Sequence, residues 1–140
     1  MELNLKRPIA FFDLETTGLN PSHDRIVEMS VLKINVNGDE EQRVWLLNPE
    51  MPISAESTSV HGYTNEMLAD KPTFKDKAKE IALFIGNADL AGYNILKFDL
   101  PMLWRRRRGC PWRRTRGRRT RCREWSGGCF AIPNAHGCIP

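Results

Sequence analysis

Three features of the first 103 residues predict an α/β fold. Ile9–Leu14 is a short apolar run with two phenylalanines, the pattern of a buried central strand. Two further strand-like runs follow, joined by Asn37-Gly38, a strong hairpin signal because both residues tolerate the positive φ of a type I′ turn. A helical apolar stripe of Phe74, Ala78, Ile81 and Ile85 comes next, ahead of another short strand.

Taken in order, the elements are as follows. Asp13 and Glu15 stand two apart on the first strand, so both carboxylates point to one face. Thr16-Thr17-Gly18 ends that strand, and Asn20-Pro21-Ser22 is turn chemistry. Residues 26–36 read as a long second strand with Val27, Met29 and Val31 on one side. Residues 42–47 return as a third strand, which Pro49 stops, completing an antiparallel meander. Residues 54–61 read as a short helix or turn carrying Val60-His61-Gly62. Thr73 with Asp76 resembles a capping box, and Gly86 is a C-terminal stop for the helix between them. Residues 89–92 read as a fourth strand, and a new helix is expected where Asp99 precedes Pro101.

Composition divides the chain at Leu103. Residues 1–103 carry 10 Lys+Arg against 16 Asp+Glu, whereas residues 104–140 carry 11 Arg against one Glu. The formal net charge of +4 averages these unlike pieces. All four cysteines and three of the four tryptophans lie in the second piece, which has no lysine, leucine or valine. Its residues show neither helical nor strand periodicity and cannot build a core of their own. The cysteine-free first piece, without a secretory pattern or an apolar run of membrane length, is expected in the cytoplasm.

Two carboxylates on one strand face are one way to hold hard divalent cations, but an Asp-x-Glu pair alone is usually an ordinary solvated strand feature. Here the pair lies in Phe12-Asp13-Leu14-Glu15-Thr16-Thr17-Gly18-Leu19. Val60-His61-Gly62-Tyr63-Thr64 and Asp70-Lys71-Pro72-Thr73-Phe74 follow, then Ala91-Gly92-Tyr93-Asn94 with Phe98-Asp99. In order and spacing these segments resemble the DnaQ-like (DEDD) 3′→5′ exonucleases over residues 7–103. Tyr93 stands where many relatives have His, a minor departure.

The resemblance implies a ribonuclease H-like mixed sheet with flanking helices. It implies two Mg²⁺ or Mn²⁺ ions, with Asp13 bridging both, Glu15 on the ion that holds the attacking water, and Asp99 on the second. Thr16, Thr17 and Gly18 would approach the terminal nucleotide, Leu19 would pack on its base, His61 would contact the 3′ end, and Asn94 would order the second motif. The partners implied are a single-stranded DNA or RNA 3′ end and a DNA polymerase subunit, as for a proofreading exonuclease. The plainer readings are that His61 is a satisfied core or capping histidine, Asn94 a turn residue and Asp99 a helix N-cap. Asp24 and Glu28 read as solvated positions near a strand start, outside the site.

The family's third motif, a general-base His with an Asp five residues on, has no counterpart. The only histidine after His61 is His136, and no Asp follows Asp99. The fifth strand and closing helices are likewise expected to be missing, which makes residues 1–103 the front of an exonuclease domain. For residues 104–140 three readings compete. An out-of-frame translation of a GC-rich gene accounts for the abrupt change from Lys to Arg. A basic arm would track phosphates, with Trp112 and Trp125 for base stacking. Zinc at Cys122, Cys129, His136 and Cys138 fits no familiar spacing. An impaired exonuclease and a non-catalytic nucleic-acid-binding module are the two functional readings.

Overall fold

The computed structural model describes residues 4–93, 98–105, 123–125 and 129–132. The sequence folds as β1 (Ile9–Thr16), β2 (Ile26–Ile34), β3 (Glu40–Leu46), α1 (Ala55–His61), α2 (Asn65–Leu68), α3 (Phe74–Ile85), β4 (Asp89–Tyr93), α4 (Asp99–Arg105), β5 (Arg123–Trp125) and β6 (Cys129–Ile132). The strands form one sheet in the order β3-β2-β1-β4-β6-β5. β1 pairs antiparallel with β2 and parallel with β4, so the sheet is mixed, as expected. β1, the strand with the carboxylates, is central.

Alternation along β1 decides the layers. Ala10, Phe12 and Leu14 enter the core beside Met29 and Val31 of β2. Asp13 and Glu15 fall on the opposite face, Asp13 exposed and Glu15 half-buried. α3 covers the apolar face with Phe74, Ala78, Ile81 and Ile85, all buried. Trp45 of β3 meets the same helix: its ring lies edge-on to Phe84 at 5.6 Å, and its Nε1 donates to Glu80 Oε1 at 2.8 Å. A buried indole N–H needs such a partner. Met102 and Leu103 of α4 join this core and anchor the helix that carries Asp99.

The ends of the helices follow the expected chemistry. Thr73 and Asp76 form the full capping box on α3, and the Gly86 N–H donates to Ala82 O. Ser54 caps α1 by accepting from the Ser57 N–H. Gly62 ends α1 at φ 80°, a left-handed conformation that turns the chain back on itself.

The structure corrects three expectations. β2 ends at Ile34 rather than Val36, and the hairpin is not a two-residue type I′ turn. The Gly38 N–H donates to Asn35 O at 2.9 Å and the Asn35 N–H to Asp39 O at 2.8 Å. Only Gly38 has positive φ in this loop, at 89°. A three-residue loop closed by a left-handed glycine matches the strand twist with one such residue instead of two. The third correction concerns residues 104–140, which were expected to supply no strand. β6 pairs antiparallel with β4 over Leu90–Tyr93, and β5 pairs antiparallel with β6. Pairing satisfies the backbone groups along the edge of β4, which requires no apolar side-chain pattern. Among the described residues, no helix follows α4.

Thr73→Ala removes the α3 cap, and loss of an N-cap of this kind costs about 1 kcal/mol. The urea midpoint is expected to fall accordingly. An unchanged midpoint would show that the box does not hold α3 in place.

Candidate active site

The site is built where β1 ends. Asp13 stands opposite Ser30 and Glu15 opposite Glu28 in the β1–β2 ladder, and the register shifts between Glu15 and Thr16, which pairs with Ile26. Such a bulge bends a strand and re-aims the side chains beside it. Asp99 opens α4 and is 5% exposed. Pro101 is tolerated in that first turn, where its missing N–H is not needed.

Asp13 acts on both other carboxylates, and Glu15 acts on Asp99. Burial pushes the Asp99 carboxyl up to about 6, and the charges on Asp13 and Glu15 add to the effect. Burial also raises Glu15, with Asp13 and Glu28 adding to the rise and His61 opposing it. Like charges brought together out of water favour the protonated form. Among the described residues, no group of three or more His, Cys, Asp or Glu side chains is gathered tightly enough to enclose an ion. Asp13, Glu15 and Asp99 nevertheless fit a hard divalent cation in donor type, being all carboxylate oxygens, and a cation would relieve the repulsion felt by Glu15 and Asp99.

The loop after β1 is tied down internally. Thr16 and Thr17 are buried. The Thr16 hydroxyl donates to Gly18 O at 2.7 Å, and the Thr17 hydroxyl donates to Asp24 Oδ1 at 2.9 Å. Asp24 Oδ2 accepts from the Asn20 N–H at 2.9 Å. Gly18 is packed so closely that a Cβ there would meet Asp24 Oδ2 at 2.5 Å. Both threonine side chains therefore hold the loop, and Leu19, 85% exposed, is its free apolar surface. An open groove of about 660 Å³ runs along Thr17, Gly18, Leu19, Asn20, Ser54 and Ser57, and none of the three carboxylates lines it.

His61 closes the site from the end of α1. Its Nδ1 accepts from the Tyr63 N–H at 3.0 Å, which leaves Nε2 protonated and donating to Thr16 O at 3.0 Å. Both ring nitrogens are thus engaged with backbone, as in the reading of a satisfied histidine. Asn94 lies outside the described residues.

Asp24 and Glu28, set aside on sequence grounds, are hydrogen-bonded here: Glu28 accepts from the Tyr63 hydroxyl. Cross-strand register decides whether Glu28 meets Glu15, and register is not written in one strand.

Residues 10–108 match the Exonuclease (RNase_T) family. The chain belongs to that family. This DnaQ-like exonuclease segment is 39% identical over 105 residues to a DNA polymerase III subunit epsilon-like protein of Rhodobacter capsulatus, covering 72% of this chain and 15% of the relative. It is 32% identical over 104 residues to the DNA polymerase III subunit epsilon of Buchnera aphidicola, covering 70% and 44%. Over 92 residues it is 33% identical to the PolC-type DNA polymerase III of Bacillus subtilis, covering 66% and 6%. The exonuclease segment thus spans less than half the length of each of these relatives. Among solved structures, E. coli exonuclease I with a dT13 oligonucleotide superposes with a TM-score of 0.61 at 22% identity, covering 69% of this chain and 22% of that one. At that identity the likeness shows the ribonuclease H-like fold.

The Asp99 carboxyl implies a pH dependence. Its folded value near 6 lies above the ordinary 3.8, so the folded state binds the proton more tightly. The penalty is absent below about pH 4, grows as pH rises through 6 and is complete at pH 7. Asp99→Asn is expected to stabilise the metal-free chain at pH 7 by on the order of 2 kcal/mol, with the gain vanishing toward pH 4. Urea titrations at the two pH values measure it; an equal effect at both would contradict the account.

Proposed function

We propose that the domain is the front part of a metal-dependent 3′→5′ exonuclease that releases nucleoside monophosphates from a DNA 3′ end. The observation carrying this reading is that Asp13 and Glu15 of the central strand both act electrostatically on Asp99 of a neighbouring helix. These three side chains would hold Mg²⁺ or Mn²⁺. When bound, such ions activate a water and stabilise the leaving oxygen of a phosphodiester.

The chain's own residues supply positioning. Asp13 and Glu15 share a face because β1 alternates, and Asp99, on the helix that Met102 and Leu103 anchor, would reach that face. The Asp24-braced loop presents Leu19 and the backbone of Gly18 to a terminal nucleotide, and His61 supports the same loop through Thr16 O. Asn94 would order the second motif. Polymerase III relatives favour DNA over RNA as substrate and a polymerase subunit as partner. The boundary near Leu103, with residues 104–140 as a separate arginine-rich or out-of-frame segment, belongs to the same proposal.

The absence of an Asp after Asp99 favours a second reading for the 140-residue chain, as a binding module without turnover. No helix among the described residues is long and apolar enough to cross a membrane.

A general base contributes about 10²–10⁴-fold in rate, so a chain lacking the third-motif His is expected to be at least about a hundredfold slower than a complete relative. With a 3′-labelled single strand and Mg²⁺, slow mononucleotide release that vanishes in Asp13→Ala is the expected result. Salt-sensitive binding with no Asp13-dependent release would favour the module. Turnover equal to a complete relative would contradict the impairment.

A further inference from the structure

Neither Glu28 nor Tyr63 belongs to the residues nominated by sequence, yet a closed ring of contacts joins both to Glu15. The Thr16 carbonyl accepts from His61 Nε2 at 3.0 Å. His61 Nδ1 accepts from the Tyr63 N–H at 3.0 Å. The Tyr63 hydroxyl donates to Glu28 Oε2, and Glu28 stands directly across the ladder from Glu15. The ring thus begins one residue after Glu15 and ends at its cross-strand partner.

Its location matters because it spans the register shift between Glu15 and Thr16. At a bulge the ladder is locally interrupted, so strand pairing alone does not fix where Glu15 points. The charges on Asp13 and Glu28 also oppose that of Glu15, a force that tends to splay these side chains. The ring resists both. His61 pins the end of β1, and Tyr63 fixes the position of the β2 carboxylate across from Glu15. The hydrogen bond to Glu28 and burial push the Tyr63 phenol up to about 12, so it remains a donor throughout the neutral range. Gly62, at φ 80°, makes the ring possible by reversing the chain between His61 and Tyr63.

We propose that Tyr63 and Glu28 are positioning residues for Glu15: Tyr63 holds Glu28 as a hydrogen-bond acceptor, away from the cation, and the ring sets the direction of the Glu15 carboxylate. Glu28 is therefore not itself a ligand. The inference rests on reading Asp13, Glu15 and Asp99 as the cation site, and the experiment separates the two.

Mn²⁺ alone is titrated into the 140-residue chain, with free ion followed by electron paramagnetic resonance and folding by circular dichroism. Loss of partners that orient metal ligands commonly costs 10–100-fold in metal affinity, so Tyr63→Phe is expected to weaken Mn²⁺ binding about tenfold with its circular dichroism unchanged. Glu28→Gln keeps an oxygen acceptor for the phenol and is expected to stay nearer the parent than Glu28→Ala, a rescue that a charged-ligand role would not produce, while unchanged circular dichroism excludes a merely structural role. Tyr63→Phe binding as tightly as the parent, or more tightly, overturns the proposal, as does Glu28→Gln falling as far as Asp13→Ala. Equal binding by the parent and Asp13→Ala sinks the cation site, and this inference with it.

Discussion

The two-residue alternation along β1 is the constraint on which the structure depends. Phe12 and Leu14 cannot enter the core without turning Asp13 and Glu15 to the opposite face, because the pleat allows no other arrangement. A shift of one residue would bury both carboxylates under α3 and expose two large apolar side chains. Packing of Phe12 and Leu14 against Met29, Val31 and α3 thus sets the position of the acidic pair. The same core holds Met102 and Leu103, so Asp99 is placed by apolar contacts one turn further along α4.

That placement has an electrostatic cost, visible in the raised Asp99 and Glu15 carboxyls. Burying a charge is unfavourable unless it is paired, and the charges that act on Asp99, those of Asp13 and Glu15, have the same sign. The surroundings are correspondingly well braced. Asp24 bonds to both Thr17 and Asn20, Gly18 leaves room for its carboxylate, and His61 ties α1 to the end of β1. Destabilised carboxylates with a stiffened backbone around them are the kind of arrangement that a bound cation would relieve.

Much of this was legible in the sequence because it depends on local rules. Period-two alternation marks β1, the Thr73/Asp76 spacing marks the start of α3, and the stripe from Phe74 to Ile85 marks its buried face. What escaped depends on relations between segments. Asn37-Gly38 signals a hairpin, but loop length and strand twist select the turn, and only Gly38 became left-handed. Glu28 looks like a solvated strand residue until register sets it opposite Glu15 and Gly62 brings Tyr63 to it. Asp24 owes its role to the path of the loop around Gly18. The pairing of β6 with β4 rests on backbone hydrogen bonds, which leave little trace in residue type.

The central claim is that Asp99 shares one face with Asp13 and Glu15 closely enough for their charges to be felt. Carboxyl ¹³C NMR of the metal-free chain, followed against pH, tests it most directly. Asp99 should titrate near 6, and Asp13→Asn should lower that value. An Asp99 that titrates in the usual aspartate range, indifferent to Asp13→Asn, would contradict the account.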